Sequence, residues 1–134
     1  MKYLQIYGGT AVVMLLLDVI WLGFIAKGWY QQGIGHLMAE QPNLAIGALF
    51  YLLFPIGLVV FAVLPSSQAQ GWTTAALTGA LFGFFAYGTY DITNLATLRD
   101  WPLKLSIMDV AWGSLASGLA AGAGKAVQIH VGHV

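Results

Sequence analysis

The chain is built from four long apolar segments separated by short polar breaks. The segments are residues 4–26, 44–64, 72–98 and 103–127, and each reaches the ~20 residues that a membrane-spanning helix needs. The breaks read "KGWYQQGIGHLMAEQPN", "PSSQAQG" and "RDWP", and each contains a proline, which lacks the N–H that a continuing helix would use. This pattern predicts an all-α integral membrane protein, a compact four-transmembrane-helix bundle with both termini on the same side.

Composition favours a membrane protein and excludes several other classes. Only 7% of the residues are charged, against roughly 25% in soluble proteins, so a soluble fold would have too little polar surface. The formal net charge is zero, which predicts no nucleic acid partner. Cysteine is absent, which excludes disulfides, thiol nucleophiles and cysteine metal sites. We predict a single domain over residues 1–134, with the lipid bilayer as its surroundings.

The first segment resembles a signal peptide, since one lysine precedes a long apolar run. That run continues to Ala26 without a small-x-small cleavage site, whereas the apolar part of a signal peptide is only ~7–15 residues long. We therefore predict a retained first helix.

Charge predicts the orientation of the bundle. With four spans, the loops after spans one and three share one side, here named the loop-1/3 face. It carries Lys27, Arg99 and Lys104, while the opposite side carries Lys2 and Lys125. The positive-inside rule then places the loop-1/3 face on the cytoplasmic side.

Aromatic residues lie at the predicted ends of the spans. Trp29, Tyr30, Trp72 and Trp101 occupy these positions, and aromatic anchoring at the membrane–water interface accounts for them.

Three aspartates lie inside the predicted spans, in "LDVIWLG", "TYDITN" and "MDVAWG". At 1.5 Å per residue, Asp18, Asp91 and Asp109 each lie roughly 9–12 Å inside the loop-1/3 face. An ionised aspartate at the centre of a spanning helix costs about 2.5–3.5 kcal/mol on insertion scales. We therefore expect the three carboxyl groups to face the interior of the bundle, where they share one polar pocket.

Helical spacing adds neighbours to this pocket. Residues three or four apart lie on the same helix face, which places Trp21 beside Asp18, Asn94 beside Asp91, and Trp112 beside Asp109. The predicted ligand-binding residues are Asp18, Trp21, Tyr90, Asp91, Thr93, Asn94, Asp109 and Trp112.

The chemistry of such a pocket allows three interpretations. The preferred one is binding of a small ligand or cation, in which transport is a further step, because carboxylates and amides are hard oxygen ligands. If a metal cation is the cofactor, its ligands are Asp18, Asp91 and Asp109, with His36 from the first loop as a fourth. If the protein is instead a hydrolase acting on lipids, the same three aspartates are the catalytic candidates, since an aspartate pair that shares a proton can activate water. The third interpretation is a structural subunit in which polar contacts only hold helices together.

Small residues recur at helical spacing in the last two spans. Gly79 and Gly83 lie in span three, and Ser114, Gly118 and Gly122 in span four. Such stripes let helices approach closely, either within the bundle or in a homodimer.

Three motifs, "LDVIWLG", "YDITNLATLRDW" and "MDVAWG", together resemble a family of small bacterial membrane proteins of unknown function. The resemblance covers nearly the whole chain and implies a four-span protein of the bacterial inner membrane. It carries no activity. Its signature positions are Asp18, Trp21, Tyr90, Asp91, Thr93, Asn94, Thr97, Leu98, Trp101, Asp109, Trp112 and Gly113.

Overall fold

The structure, a computed structural model, describes residues 1–132, so residues 133 and 134 of the predicted domain lie outside the described residues. All regular structure within 1–132 is helical, which confirms the all-α prediction for this part of the chain. The elements are α1 (Lys2–Ile20) with a π-helical extension (Trp21–Ile25), α2 (Lys27–Ile34), α3 (Leu44–Leu58) with a π-helical extension (Val59–Val63), α4 (Thr73–Thr97) and α5 (Leu103–Val131).

Two of these helices are long and apolar enough to cross a membrane. They are the continuous segments Lys2–Ile25 and Leu44–Val63. The helices α4 and α5 are longer, with 25 and 29 residues, but glycine, serine, threonine and a few charged or amide side chains lower their mean hydropathy. Length and composition therefore identify α1 and α3 as the two candidate spans.

Small residues bring α4 and α5 into close contact. A side chain at Gly118 would lie 2.9 Å from the carbonyl oxygen of Ala76, and the Ser114 hydroxyl donates to the carbonyl of Ala80 at 2.7 Å. On the α4 side, Gly79 and Gly83 press against the backbone of α5. The glycine faces predicted from sequence are thus used inside the chain.

One buried stripe fixes how α1 faces the bundle. Ile6, Thr10, Met14 and Asp18 are its buried residues, and they follow one another at intervals of four, which places them on one helix face. Thr10 contacts α5 at Gly124. Asp18 therefore belongs to this buried stripe and faces the interior of the helix bundle.

Candidate ligand-binding cavity

A cavity of about 440 Å³ lies among all five helices. Its wall is mainly aromatic and holds two carboxyl groups. The lining residues are Asp18, Trp21, Leu22, Tyr30, Ile34, Phe50, Tyr51, Phe54, Ala86, Tyr87, Tyr90, Asp109 and Trp112. Lysine, arginine and histidine do not occur in this lining, so its charge is acidic only.

Asp18 is held from two other helices. Tyr51 of α3 donates its hydroxyl to one carboxyl oxygen at 2.7 Å, and Trp112 of α5 donates its indole N–H to the other at 2.9 Å. The side chain is 5% exposed. Because hydrogen bonds from neutral donors stabilise a charged acceptor, the two contacts suit a carboxylate in this buried position.

Asp109 is held by the short helix α2. The Tyr30 hydroxyl donates to its carboxyl group at 2.5 Å and itself accepts the indole N–H of Trp21 at 3.3 Å. Burial, followed by the hydrogen bond to Asp109, raises the pKa of Tyr30, so the hydroxyl remains protonated at neutral pH. Tyr30 therefore acts as a donor between α2 and α5.

The two acidic positions are joined by stacked indoles. Trp21 and Trp112 lie parallel, with an interplanar angle of 5° and ring centroids 4.6 Å apart. Trp21 begins the π-helical turn, in which the Ala26 N–H bonds to its carbonyl at 2.7 Å. Widened turns of this kind occur frequently at functional sites, and here the turn begins at a cavity wall.

Asp91 lies behind the cavity rather than in its wall. It is 1% exposed, and in the part of the chain that the structure describes neither carboxyl oxygen accepts a hydrogen bond from a backbone, hydroxyl or indole group. Its side-chain neighbour is the carboxyl group of Asp109, which lies within hydrogen-bonding reach. The two groups can bond to each other only if at least one of them carries a proton.

Asp91 also borders a second space on the outer side of α4 and α5. This groove, about 650 Å³ in volume, is apolar apart from Asp91, Ser106 and Ser114. Several of its wall residues, such as Ile92 and Ile107, are largely exposed. The groove therefore lies on the outside of the helix bundle.

Five of the eight residues predicted for ligand binding line the cavity: Asp18, Trp21, Tyr90, Asp109 and Trp112. Asp91 adjoins it through Asp109. Thr93 is exposed and Asn94 partly buried, and both lie outside the lining. The side chain of Asn94 instead lies within reach of the Tyr90 hydroxyl.

His36 is exposed and lies outside the cavity lining. Among residues 1–132, no three His, Cys, Asp or Glu side chains lie close enough together to hold a metal ion.

Sequence reasoning missed two residues that hold the acids. The sequence predicts Tyr30 as an anchor at the membrane interface, but its hydroxyl turns inward to Asp109. Tyr51 is not among the predicted residues, although it is the one hydroxyl-bearing side chain in the otherwise apolar segment of α3, and this isolation is a signal in the sequence.

Trp101 is predicted to anchor the chain at the membrane interface, but the structure places it in a buried position. It is only 9% exposed, and its indole N–H donates to the Ser106 hydroxyl at 2.8 Å. Its ring meets Tyr90 edge-on, with centroids 5.9 Å apart. Trp101 thus closes the turn between α4 and α5 beside Asp91.

Comparison with known proteins places these features in a family. Residues 3–126 match a family model described as "Predicted membrane protein (DUF2177)". The match confirms the resemblance to membrane proteins of unknown function. None of the curated proteins and none of the solved structures compared with the chain matches it.

Proposed function

Because the chain belongs to DUF2177, a family of predicted membrane proteins of unknown function, we propose that it is a four-span bundle of the bacterial inner membrane whose cavity binds a small organic cation. The helices α4 and α5, with 25 and 29 residues, exceed the ~20 residues that one crossing needs. Their polar and small side chains pack on each other, so the face left toward lipid is apolar. These features support the proposal that α4 and α5 also span the membrane, as the two candidate spans α1 and α3 do.

The composition of the cavity carries the functional proposal. Two carboxyl groups, Asp18 and Asp109, lie in a wall of tryptophan, tyrosine and phenylalanine that contains no basic side chain. Aromatic faces attract cations by about 0.5–2 kcal/mol each, the larger value applying where water is excluded. An organic ammonium group would meet both attractions at once.

The proposed roles follow from position. Asp18 and Asp109 supply negative charge, and Trp21, Trp112 and Tyr90 form aromatic walls. Tyr51 and Tyr30 orient the two acids through their hydroxyl groups. A ligand with an aryl ring beside its ammonium group suits this wall better than a bare metal ion does.

A thermal-shift measurement on the purified full chain in detergent tests this proposal. The probe is benzyltrimethylammonium, a permanent cation with one aromatic ring. We expect it to raise the melting temperature of the wild type and of Asp100→Asn, but not of Asp109→Asn. Asp100 is an exposed residue of the turn after α4 with a φ of 62°, a conformation that asparagine tolerates. An equal rise in all three proteins, or in none, would contradict the proposal.

One observation favours a second candidate function. Asp91 and Asp109 lie within hydrogen-bonding reach of each other, as two carboxyl groups that share a proton and activate water must. A lipid-directed hydrolase would therefore use this pair, and not Asp91 with Asp18. Incubation with bacterial phospholipids, followed by mass spectrometry, would then show cleavage products that are lost in Asp91→Asn. Unchanged lipids would exclude this activity on those substrates.

A further inference from the structure

Asp91 and Asp109 form a carboxyl pair in which Tyr30 donates to Asp109 alone, and we propose that this pair holds one proton, which is released when a cation enters the cavity. The inference rests on the proposed function and adds to it the exchange of a bound proton for the incoming cation. In a site of this kind, the affinity for the cation depends on pH, and binding of the cation changes the protonation of the pair.

The buried position of Asp91 is the first support. Its two carboxyl oxygens have no donor from backbone, hydroxyl or indole groups, although the side chain is almost completely buried. A carboxylate left in that state would carry the full cost of burial without compensation. A proton shared with Asp109 satisfies one oxygen of each residue.

Within residues 1–132, no positively charged group faces the pair. The titratable groups that face it are Asp18 from α1, Tyr30 from α2, and Tyr87 and Tyr90 from α4. Phenols are neutral at pH 7, and the remaining group is acidic. Two ionised carboxylates side by side are therefore strongly disfavoured until a cation approaches.

The exchange is balanced in charge and atoms. Before binding, the pair is one carboxylic acid and one carboxylate that share a proton, with a net charge of −1. A quaternary ammonium ion brings +1, both carboxylates become stable beside it, and the proton leaves to solvent. The site keeps its net charge of −1, and no bond other than O–H is broken.

The geometry indicates which way the proton leaves. Asp109 lines the cavity, whereas Asp91 borders the outer groove, whose walls are exposed apolar side chains. In a bilayer, acyl chains would cover that groove and carry no proton. The proton therefore leaves through Asp109 and the cavity that the cation enters.

Isothermal titration with benzyltrimethylammonium at pH 7, in phosphate and in Tris, tests the inference. The probe has no transferable proton, so a difference in heat between the two buffers counts protons released by the protein. We expect close to one proton per bound cation for the wild type and Asp100→Asn. For Asp91→Asn we expect retained binding with little release, because the amide N–H₂ can donate to Asp109.

The outcomes separate this inference from the proposed function. Binding to the wild type without proton release would overturn the inference alone, as would full release from Asp91→Asn. Failure of the wild type to bind would overturn the proposed function and the inference with it. If Asp91→Asn does not fold, the pH dependence of binding to the wild type tests the exchange. The Kd of the wild type should fall about tenfold for each unit by which the pH rises, as long as one proton is released per cation. A Kd that does not depend on pH would refute the exchange.

Discussion

Trp112 of α5 donates its indole N–H to Asp18 of α1 at 2.9 Å, across 94 positions of sequence. Together with the Tyr51 hydroxyl of α3, this contact joins three helices at one carboxyl group. It explains why an aspartate can lie in the apolar run of α1: the group is on the buried stripe, and two donors from other helices reach it.

The Trp112→Phe substitution removes this donor while it keeps an aromatic ring in the wall. We expect the free energy of unfolding to fall by roughly 0.6–2 kcal/mol, the range for one hydrogen bond between membrane helices, and binding of benzyltrimethylammonium to weaken. Unfolding in a denaturing detergent measures the first effect. The control is Trp72→Phe, since Trp72 is 52% exposed at the start of α4. Equal stability losses in both variants would mean that the contact with Asp18 contributes nothing particular.

Close packing at Gly113 positions Tyr87, one wall of the cavity. A Cβ atom at Gly113 would overlap the Tyr87 ring, so Gly113→Ala should displace the ring and cost about 1–3 kcal/mol through overpacking. We expect a lower melting temperature and weaker cation binding. At Gly8 in α1 an added Cβ meets nothing within 4 Å, so Gly8→Ala should leave both quantities unchanged or raise the melting temperature slightly. A neutral Gly113→Ala would show that Tyr87 moves aside freely.

Lys125 lies outside the cavity lining and binds backbone carbonyl groups where the π-helical extension of α3 ends. Its ammonium group is fully buried and donates to the carbonyl oxygens of Val63, at 3.0 Å, and Ser66, and to the Gln128 amide oxygen at 2.8 Å. These three acceptors use all three of its protons.

We expect Lys125→Met to lower the free energy of unfolding by roughly 1–3 kcal/mol for each acceptor left without a donor, with cation affinity unchanged in the folded protein. Denaturant titration measures the first and the thermal shift with benzyltrimethylammonium the second. The control is Lys27→Met, because Lys27 is exposed. A variant as stable as that control would show that removal of a buried charge offsets the lost hydrogen bonds.

The proposed four-span topology places the first and third loops on one side of the membrane and the second loop on the other. The chain has no cysteine, so single cysteines can be introduced at Glu40, Leu98 and Ser67 and labelled with a membrane-impermeant maleimide. We expect Glu40→Cys and Leu98→Cys to react only in inverted vesicles, and Ser67→Cys only in intact cells. Labelling of Glu40→Cys and Leu98→Cys from opposite sides would rule out four spans.

The sequence predicted that the three acids lie close together along the bundle, where Asp109 is near both Asp18 and Asp91, better than it predicted their other neighbours. Because the rise per residue of a helix is fixed, the common depth of Asp18, Asp91 and Asp109 follows from counting along the spans. Their separation depends on the rotation of each helix, which counting along the spans does not give. In α3 the single hydroxyl-bearing side chain, Tyr51, is the one sequence feature that indicates which face turns inward.

Loop structure limited the prediction in a second way. The first loop folds into α2, which brings Tyr30 against Asp109, and no periodicity in eight residues could indicate that docking. Thr93 and Asn94 were selected because they follow Asp91 closely in sequence, but Asp91 itself lies outside the cavity lining. Thr93, two positions further on, is turned by about 200° around the helix axis at ~100° per residue. Asn94, three positions further on, stays near the face of Asp91, and its side chain reaches the Tyr90 hydroxyl instead of the cavity.

We propose above that the acidic, aromatic cavity binds one organic cation through Asp109. Equilibrium dialysis of the purified chain against benzyltrimethylammonium at fixed pH measures affinity and stoichiometry directly. We predict one cation per wild-type chain, the same Kd for Asp100→Asn, and a Kd at least tenfold higher, a loss of about 1.4 kcal/mol, for Asp109→Asn. Binding of equal strength to Asp109→Asn and the wild type would contradict the account.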